Sequence, residues 1–413
     1  MAMRRAFRIV SASLVAASLL SPVGATAQQS NFAPPIEASS TAGGGWTLTP
    51  SITYSGAWDD NVLVRGVGDE PAEDFLNVVN PRATVDFNGR RGQLSASYDG
   101  SFLLYRELST LNSYDQRGSL YARRLVSPHL ALFARGYAAQ VPTTELVAFV
   151  GVPFVRNGSR IVDAHGGVEG AMSKRTSLRI SYDLQWVTFD PGGVGAELLS
   201  GGHSQGATAS LRHALDPRLT LIADYGFVHA ITHPGLASFD GDQAFDIHNG
   251  SVGLDYRVSD QMTVFGAAGI SRLGATRLSE TRIGPSWKAG LSRHFGSAIA
   301  DVHYGRSYVP VYGFGGTSQD EELTAMARVP LARRVYTSGE VSWRRNDPLV
   351  LTAIDLPLRS FWLEAAVGYA VTPTVHVEVF YGGTRQTIDR PGGEMDRNRV
   401  GFQVTTSKPM RVR

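Results

Sequence analysis

Apolar and polar residues alternate with a period of two in about eighteen segments of roughly a dozen residues each, and short and long connections take turns between them. Successive side chains of a strand point to opposite faces, so this pattern builds a sheet that is apolar on one side and polar on the other. A strand that crosses a membrane must be written this way, with lipid on one face and water on the other. The expected fold is therefore all-β: a closed antiparallel transmembrane β-barrel of about 18 strands, with 16 as the alternative count.

The alternation recurs rather than occurring once. Trp46, Leu48, Pro50, Ile52 and Tyr54 share one face while Thr47, Thr49, Ser51, Thr53 and Ser55 share the other. Leu94, Ala96, Tyr98, Phe102 and Leu104 alternate with Ser95, Ser97, Asp99 and Ser101, and Leu178, Ile180, Tyr182, Leu184 and Trp186 with Arg179, Ser181, Asp183 and Gln185. Turn chemistry falls at every second connection, as in Arg90-Arg91-Gly92, Ser173-Lys174-Arg175, Asp216-Pro217 and Thr372-Pro373. The connections between those turns are longer, including 59 to 77, 141 to 159, 310 to 318 and 347 to 356. Short periplasmic turns and longer extracellular loops are the asymmetry of an outer-membrane barrel. A soluble β-sandwich has no reason to alternate its connection lengths in this way.

The N-terminus reads as a secretory signal. Arg4, Arg5 and Arg8 precede a short apolar core from Ile9 to Leu20, and Ala25-Thr26-Ala27 supplies small residues for cleavage after Ala27. Residues 1–27 are thus a signal peptide, 28–44 an extended periplasmic segment, and 45–413 the barrel domain. The expected location is the outer membrane of a Gram-negative bacterium, in contact with outer-membrane lipid and lipopolysaccharide.

Charge is balanced, with 39 basic and 37 acidic residues, so nothing points to nucleic acid. The absence of cysteine removes disulfides, thiolate metal sites and cysteine nucleophiles. The histidines are scattered without the spacing of a metal pair or of a nucleophile and its base. No enzyme, catalytic residue, metal site or cofactor is expected. The acidic first loop (Asp59, Asp60, Asp69, Glu70, Glu73 and Asp74) lacks the glycine spacing of a calcium loop and reads as a solvated turn.

With the apolar faces turned to lipid, arginines and carboxylates interleave on the lumen faces. Cross-strand ion pairs account for most of them. Arg82, Arg179 and Arg334 are the candidates for contact with a polar or anionic solute. Inward Tyr105, Tyr336 and Trp362 can either stack on sugar rings or fill space. The loop from Val141 to Gly158, with Glu145, Phe149, Phe154 and Arg156, is unusually apolar and is the candidate constriction.

Leu48-Thr49-Pro50-Ser51-Ile52 through Trp58-Asp59-Asp60-Asn61-Val62, followed by Asn80-Pro81-Arg82, resembles the beta-barrel porin 2 family of Gram-negative bacteria. Pro142-Thr143-Thr144-Glu145 and Arg218-Leu219-Thr220 are also similar. Members of that family often accompany exopolysaccharide or capsule assembly systems. The resemblance implies a barrel that contributes to polysaccharide export across the outer membrane, with a periplasmic polysaccharide export protein as partner. Two other readings stand beside it: a general diffusion porin for small hydrophilic solutes, and a structural or adhesion barrel without flux.

Overall fold

Each alternating segment becomes a strand in the computed structural model, which describes residues 44–66, 70–145, 156–192, 199–233, 241–276, 279–313, 315–350, 357–389 and 393–412. The signal peptide, nearly all of the 28–44 segment, and Phe149 and Phe154 lie outside the described residues. The wall begins with β1 (Gly45–Asp59), β2 (Asp74–Asn88), β3 (Gly92–Tyr105), β4 (Ser113–Ser127), β5 (Leu130–Pro142) and β6 (Gly158–Ala171). It continues through β7 (Thr176–Phe189), β8 (Gly201–Ala214), β9 (Leu219–His233), β10 (Gln243–Ser259), β11 (Met262–Leu273) and β12 (Arg282–Phe295). β13 (Ala298–Pro310), β14 (Thr317–Pro330), β15 (Val335–Pro348), β16 (Leu358–Thr372), β17 (Val375–Ile388) and β18 (Glu394–Ser407) complete it. A short β19 (Met410–Val412) prolongs β18 along the foot of β1.

Every strand pairs antiparallel with its neighbours in sequence, and β18 returns to β1 from Ser51–Ser407 to Asp59–Arg399. The sheet is therefore closed, and eighteen strands make the wall. Closure removes the edges that lipid cannot solvate. No described helix is long and apolar enough to cross a membrane; the crossing is made by strands.

The two faces separate as the alternation requires. Val252 and Val379, on the outer face, are 58% and 59% exposed and belong to an outward set of exposed apolar side chains on many strands, the band a barrel turns to lipid. Trp46, Trp58, Trp186 and Trp287 also stand outward, where aromatic girdles meet the membrane interface. Most serines, threonines and charges of the strands face inward. β2 starts at Asp74, earlier than the alternation alone predicts, because the Asp74 carboxylate accepts the backbone N–H groups of Phe75, Glu107 and Leu108 at 2.7 to 3.1 Å and ties β2 to the end of β3. That contact is made across 34 residues and leaves no periodic mark in the sequence.

In the acidic first loop Glu70 and Glu73 are exposed, as a solvated turn requires, but Asp59, Asp60 and Asp74 are tied to the strands. Asp59 is fully buried, held by Arg397 Nη2 at 2.6 Å and Arg399 Nε at 2.9 Å. Asp60 accepts the backbone N–H and side-chain amide of Asn398 at 2.6 and 2.7 Å. The two acids rivet β1 to β18 at the long-loop end of the seam between the first and last strands.

Candidate pore and its constriction

The inner wall changes character along the barrel axis. On β9 the inward Thr220, Ile222 and Asp224, near the short turns, are half-exposed, whereas Ala230 and Thr232, near the long loops, are buried. The short-turn half is thus open to water and the long-loop half is packed. Three apolar clusters form that packing. Val62, Leu76, Leu103 and Tyr105 gather at β1 to β3. Ala139, Val141, Ile161, Val187 and Tyr312 gather at β5 to β7, and Phe245, Ile247, Leu273, Tyr308, Leu349 and Val350 at β10 and β11.

Tyr308 and Tyr312 reach those clusters from the β13–β14 hairpin, which leaves the wall and folds into the barrel. The backbone N–H of Tyr308 donates to Ser271 Oγ at 3.3 Å, and Asn249 Nδ2 donates to the Tyr308 carbonyl at 3.4 Å. Ser271 Oγ in turn donates to Asn249 Oδ1 at 2.5 Å. These residues belong to the inner faces of β10 and β11. Farther on, Ser200 and Gly313 exchange two backbone hydrogen bonds, at 2.6 and 2.9 Å. Extended chain from Arg306 to Gly313 covers about 23 Å, and the five strand spacings from β13 to β8 amount to about 24 Å. The hairpin is just long enough to lie across that part of the mouth.

Its turn needs glycine. Gly313, Gly315 and Gly316 have φ of 106°, 82° and 85°, a region that side chains with a Cβ rarely enter. Where β14 and β15 bend inward, Arg344 lies between Glu322 at 2.5 Å and Asp320 at 3.3 Å, and Asn346 Nδ2 donates to Asp320 at 2.7 Å.

Tyr312 is the seat of the tip, 1% exposed between strand residues of β5 to β7 and over Gly202. Its hydroxyl makes no hydrogen bond of normal geometry, with Ser204 the polar group beside it. Burial pushes the phenol from 10.0 up to about 12. The seat therefore favours the neutral phenol, so its contribution is full below 10.0 and is lost as the pH rises through about 12. Conductance is expected to be flat below the first value and to climb between the two, and a Tyr312→Phe channel recorded over the same range should show no climb.

Of the residues singled out in the sequence, Arg82 faces the lumen and pairs with Asp99 at 3.4 Å. Arg179 pairs with Glu169 at 3.0 Å and lies over the Phe133 ring. Arg334 is in the exposed turn between β14 and β15, outside the lumen wall, where its carbonyl accepts the N–H of Ala370. Tyr105 is buried in the first apolar cluster and accepts a hydrogen bond from Arg156 Nη1 at 3.1 Å, so neither is free for a solute. Glu145 closes a short 3₁₀ turn, Thr143–Glu145, at the start of its loop. Among the described residues the crossing of the mouth belongs to the β13–β14 tip, not to the ends of the 141–158 loop. The signal that marks the tip in the sequence is Gly313, Gly315 and Gly316 beside Tyr312.

Tyr336 and Trp362 do face the lumen, and three inward rings, those of Tyr336, Phe380 and Phe133, lie over glycines. The Tyr336 ring covers Gly368 on the next strand and its hydroxyl donates to Glu378 at 2.5 Å, one strand farther. Phe380 covers Gly401, where a Cβ would meet the ring at 2.6 Å. Phe133 covers Gly167 in the same manner, at 2.9 Å. Glycine on the neighbouring strand lets each ring rest on the wall and leaves the lumen wide. A Gly368→Val change should lift Tyr336 off the wall, break its bond to Glu378 and reduce single-channel conductance, while the protein still folds.

No family model matches the chain, and no curated protein matches it. Solved structures that are similar include OpdQ of Pseudomonas aeruginosa, with 10% identity, a TM-score of 0.43 and coverage of 88% of this chain and 98% of that one. OccAB3 of Acinetobacter baumannii has 10% identity, a TM-score of 0.45 and coverage of 88% and 99%. The FrpB iron transporter of Neisseria meningitidis has 9% identity, a TM-score of 0.46 and coverage of 84% and 63%. Likeness at this level carries no argument about function. The resemblance to the beta-barrel porin 2 family has no matching family model behind it.

Proposed function

We propose that the protein is an outer-membrane diffusion channel for small hydrophilic solutes. One observation carries this reading: a closed wall, apolar outside, encloses a short-turn half whose inward charges are half-exposed and hence wet. A barrel of this strand number is wide enough for an aqueous lumen. The lumen charges are largely paired across strands, as in Arg82–Asp99, Arg179–Glu169 and Arg344–Glu322. Such pairing keeps the inner wall hydrated without a strong field of one sign, so the channel should discriminate weakly between small cations and anions.

The polysaccharide-export reading, and with it a periplasmic export partner, gains no support. A polymer would leave through the long-loop mouth, which is where the inner wall turns apolar and the hairpin tip crosses. The test is to reconstitute the purified full-length protein in planar bilayers. Stepwise conductance with weak ion selectivity is the expected result. A folded barrel that gives no steps and no solute flux in liposomes would leave the structural or adhesion reading instead. Arg82 and Arg179 border the water path, and replacing either with glutamine unpairs a carboxylate. Each change should move the permeability ratio toward cations by roughly twofold, an effect that high salt screens.

A further inference from the structure

The wall between β12 and β13 is not closed to its full height. Pairing runs from Phe295–Ala298 up to Trp287–Arg306 and stops, although β12 stays paired with β11 as far as Arg282. Ser307–Pro310, the stretch of β13 that would continue the ladder, has turned into the barrel with the hairpin. On the side away from β11, residues 282–286 are left as an edge with no strand partner among the described residues. Pro285 on this edge has no N–H, as suits a strand that lacks a neighbour.

What flanks the edge is apolar on both sides. Outward, Ile283 is 67% exposed and its neighbour Ile270 is 60% exposed. Inward, Tyr308 lies against Gly284, so no side chain of β12 stands between them. Behind Tyr308 are Phe245, Ile247 and Leu273, all buried. At the other two apolar clusters a hydrogen-bonded wall separates the inside from the apolar outside. Here an apolar outside and an apolar inside are divided by one tyrosine ring.

At the foot of the edge stands Arg306, on the outer face. Its Nη2 donates to Gln319 at 2.8 Å, while its Nε is buried with no hydrogen-bond acceptor. Glu321, opposite it in register, accepts the Tyr304 hydroxyl at 2.7 Å. The half-exposed Arg306 guanidinium beside an apolar cleft fits an anionic head attached to an acyl tail.

We propose that the seam between β12 and β13 is a lateral portal through which a single-chain amphipathic anion, of fatty-acid chemistry, passes between the apolar mouth and the surrounding lipid, its head met by Arg306. The aqueous lumen is a separate route, since its charges reject a tail. The test uses the full-length protein in liposomes with a fatty acid that carries a photoactivatable diazirine near its tail, and maps the labelled residues by mass spectrometry. Label on Tyr308, Leu273 or Phe245 as well as on Ile283 is the expected result, and Arg306→Gln should lower the internal label roughly tenfold. The methyl ester of the same probe should label both proteins equally. Label confined to outward residues overturns the portal. So does equal internal labelling by a phospholipid whose acyl chain carries the diazirine, which makes the seam a lipid seat instead of a passage.

Discussion

Replacing Tyr312 with alanine is expected to roughly double single-channel conductance, because the lumen is widest where nothing crosses it. The tip is held to the far wall by the buried Tyr312 ring and by the two backbone hydrogen bonds between Ser200 and Gly313. Removing a buried aromatic side chain costs about 3–5 kcal/mol, whereas each hydrogen bond contributes about 1 kcal/mol net. The ring decides the outcome, and without it the seated tip loses about a hundredfold to a few thousandfold in population. Tyr312→Phe keeps the ring and removes a hydroxyl that makes no normal hydrogen bond, so it should seat the tip at least as firmly and leave conductance at or below the wild-type value. Bilayer recordings of the three proteins under one condition give the comparison. Wild-type conductance in the alanine variant would mean that the β13–β14 tip does not limit the pore.

Asp59→Ala should weaken barrel closure more than any other single charge removal. Arg397 and Arg399, 4% and 11% exposed at their side chains, both depend on that carboxylate. Without it both guanidinium groups lose their shared carboxylate in a site with little water to replace it. Breaking a buried ion pair by deleting one member costs about 3–5 kcal/mol, and here one deletion takes a carboxylate from two charges where the last strand meets the first. The folded barrel should lose its compact migration on unheated detergent gels at a clearly lower temperature than the wild type. Arg385, by contrast, pairs with Asp396 at 2.5 Å on the exposed outer surface. Arg385→Ala should change that temperature little, because exposed pairs contribute about 0–1 kcal/mol. Equal melting of the two variants would refute the role given to the β1–β18 rivet.

Much of this architecture is legible in one dimension. Strand number, the lipid and lumen faces, and the alternation of short turns with long loops follow from a period of two, since a strand's side chains swap faces at each residue whatever lies beside it. Arg82, Arg179, Tyr336 and Trp362 are inward on that count alone. The acidic first loop shows the limit. Asp59 and Asp74 look solvated because their partners, Arg397, Arg399 and the N–H groups of Glu107 and Leu108, lie far off in sequence. Arg334 shows another limit, since alternation carried one residue past a strand end puts a turn residue in the lumen. The path of the β13–β14 tip was decided by tertiary structure, since whether a hairpin stays in the wall or folds into the lumen depends on what its faces meet; most of the 141–158 loop lies outside the described residues. Gly202, Gly284, Asn249 and Ser271, on three other strands and a fourth, supply the space and the hydrogen bonds that receive Tyr308 and Tyr312. Periodicity assigns a side chain to a face, and only the closed sheet brings distant strands near enough to act on it.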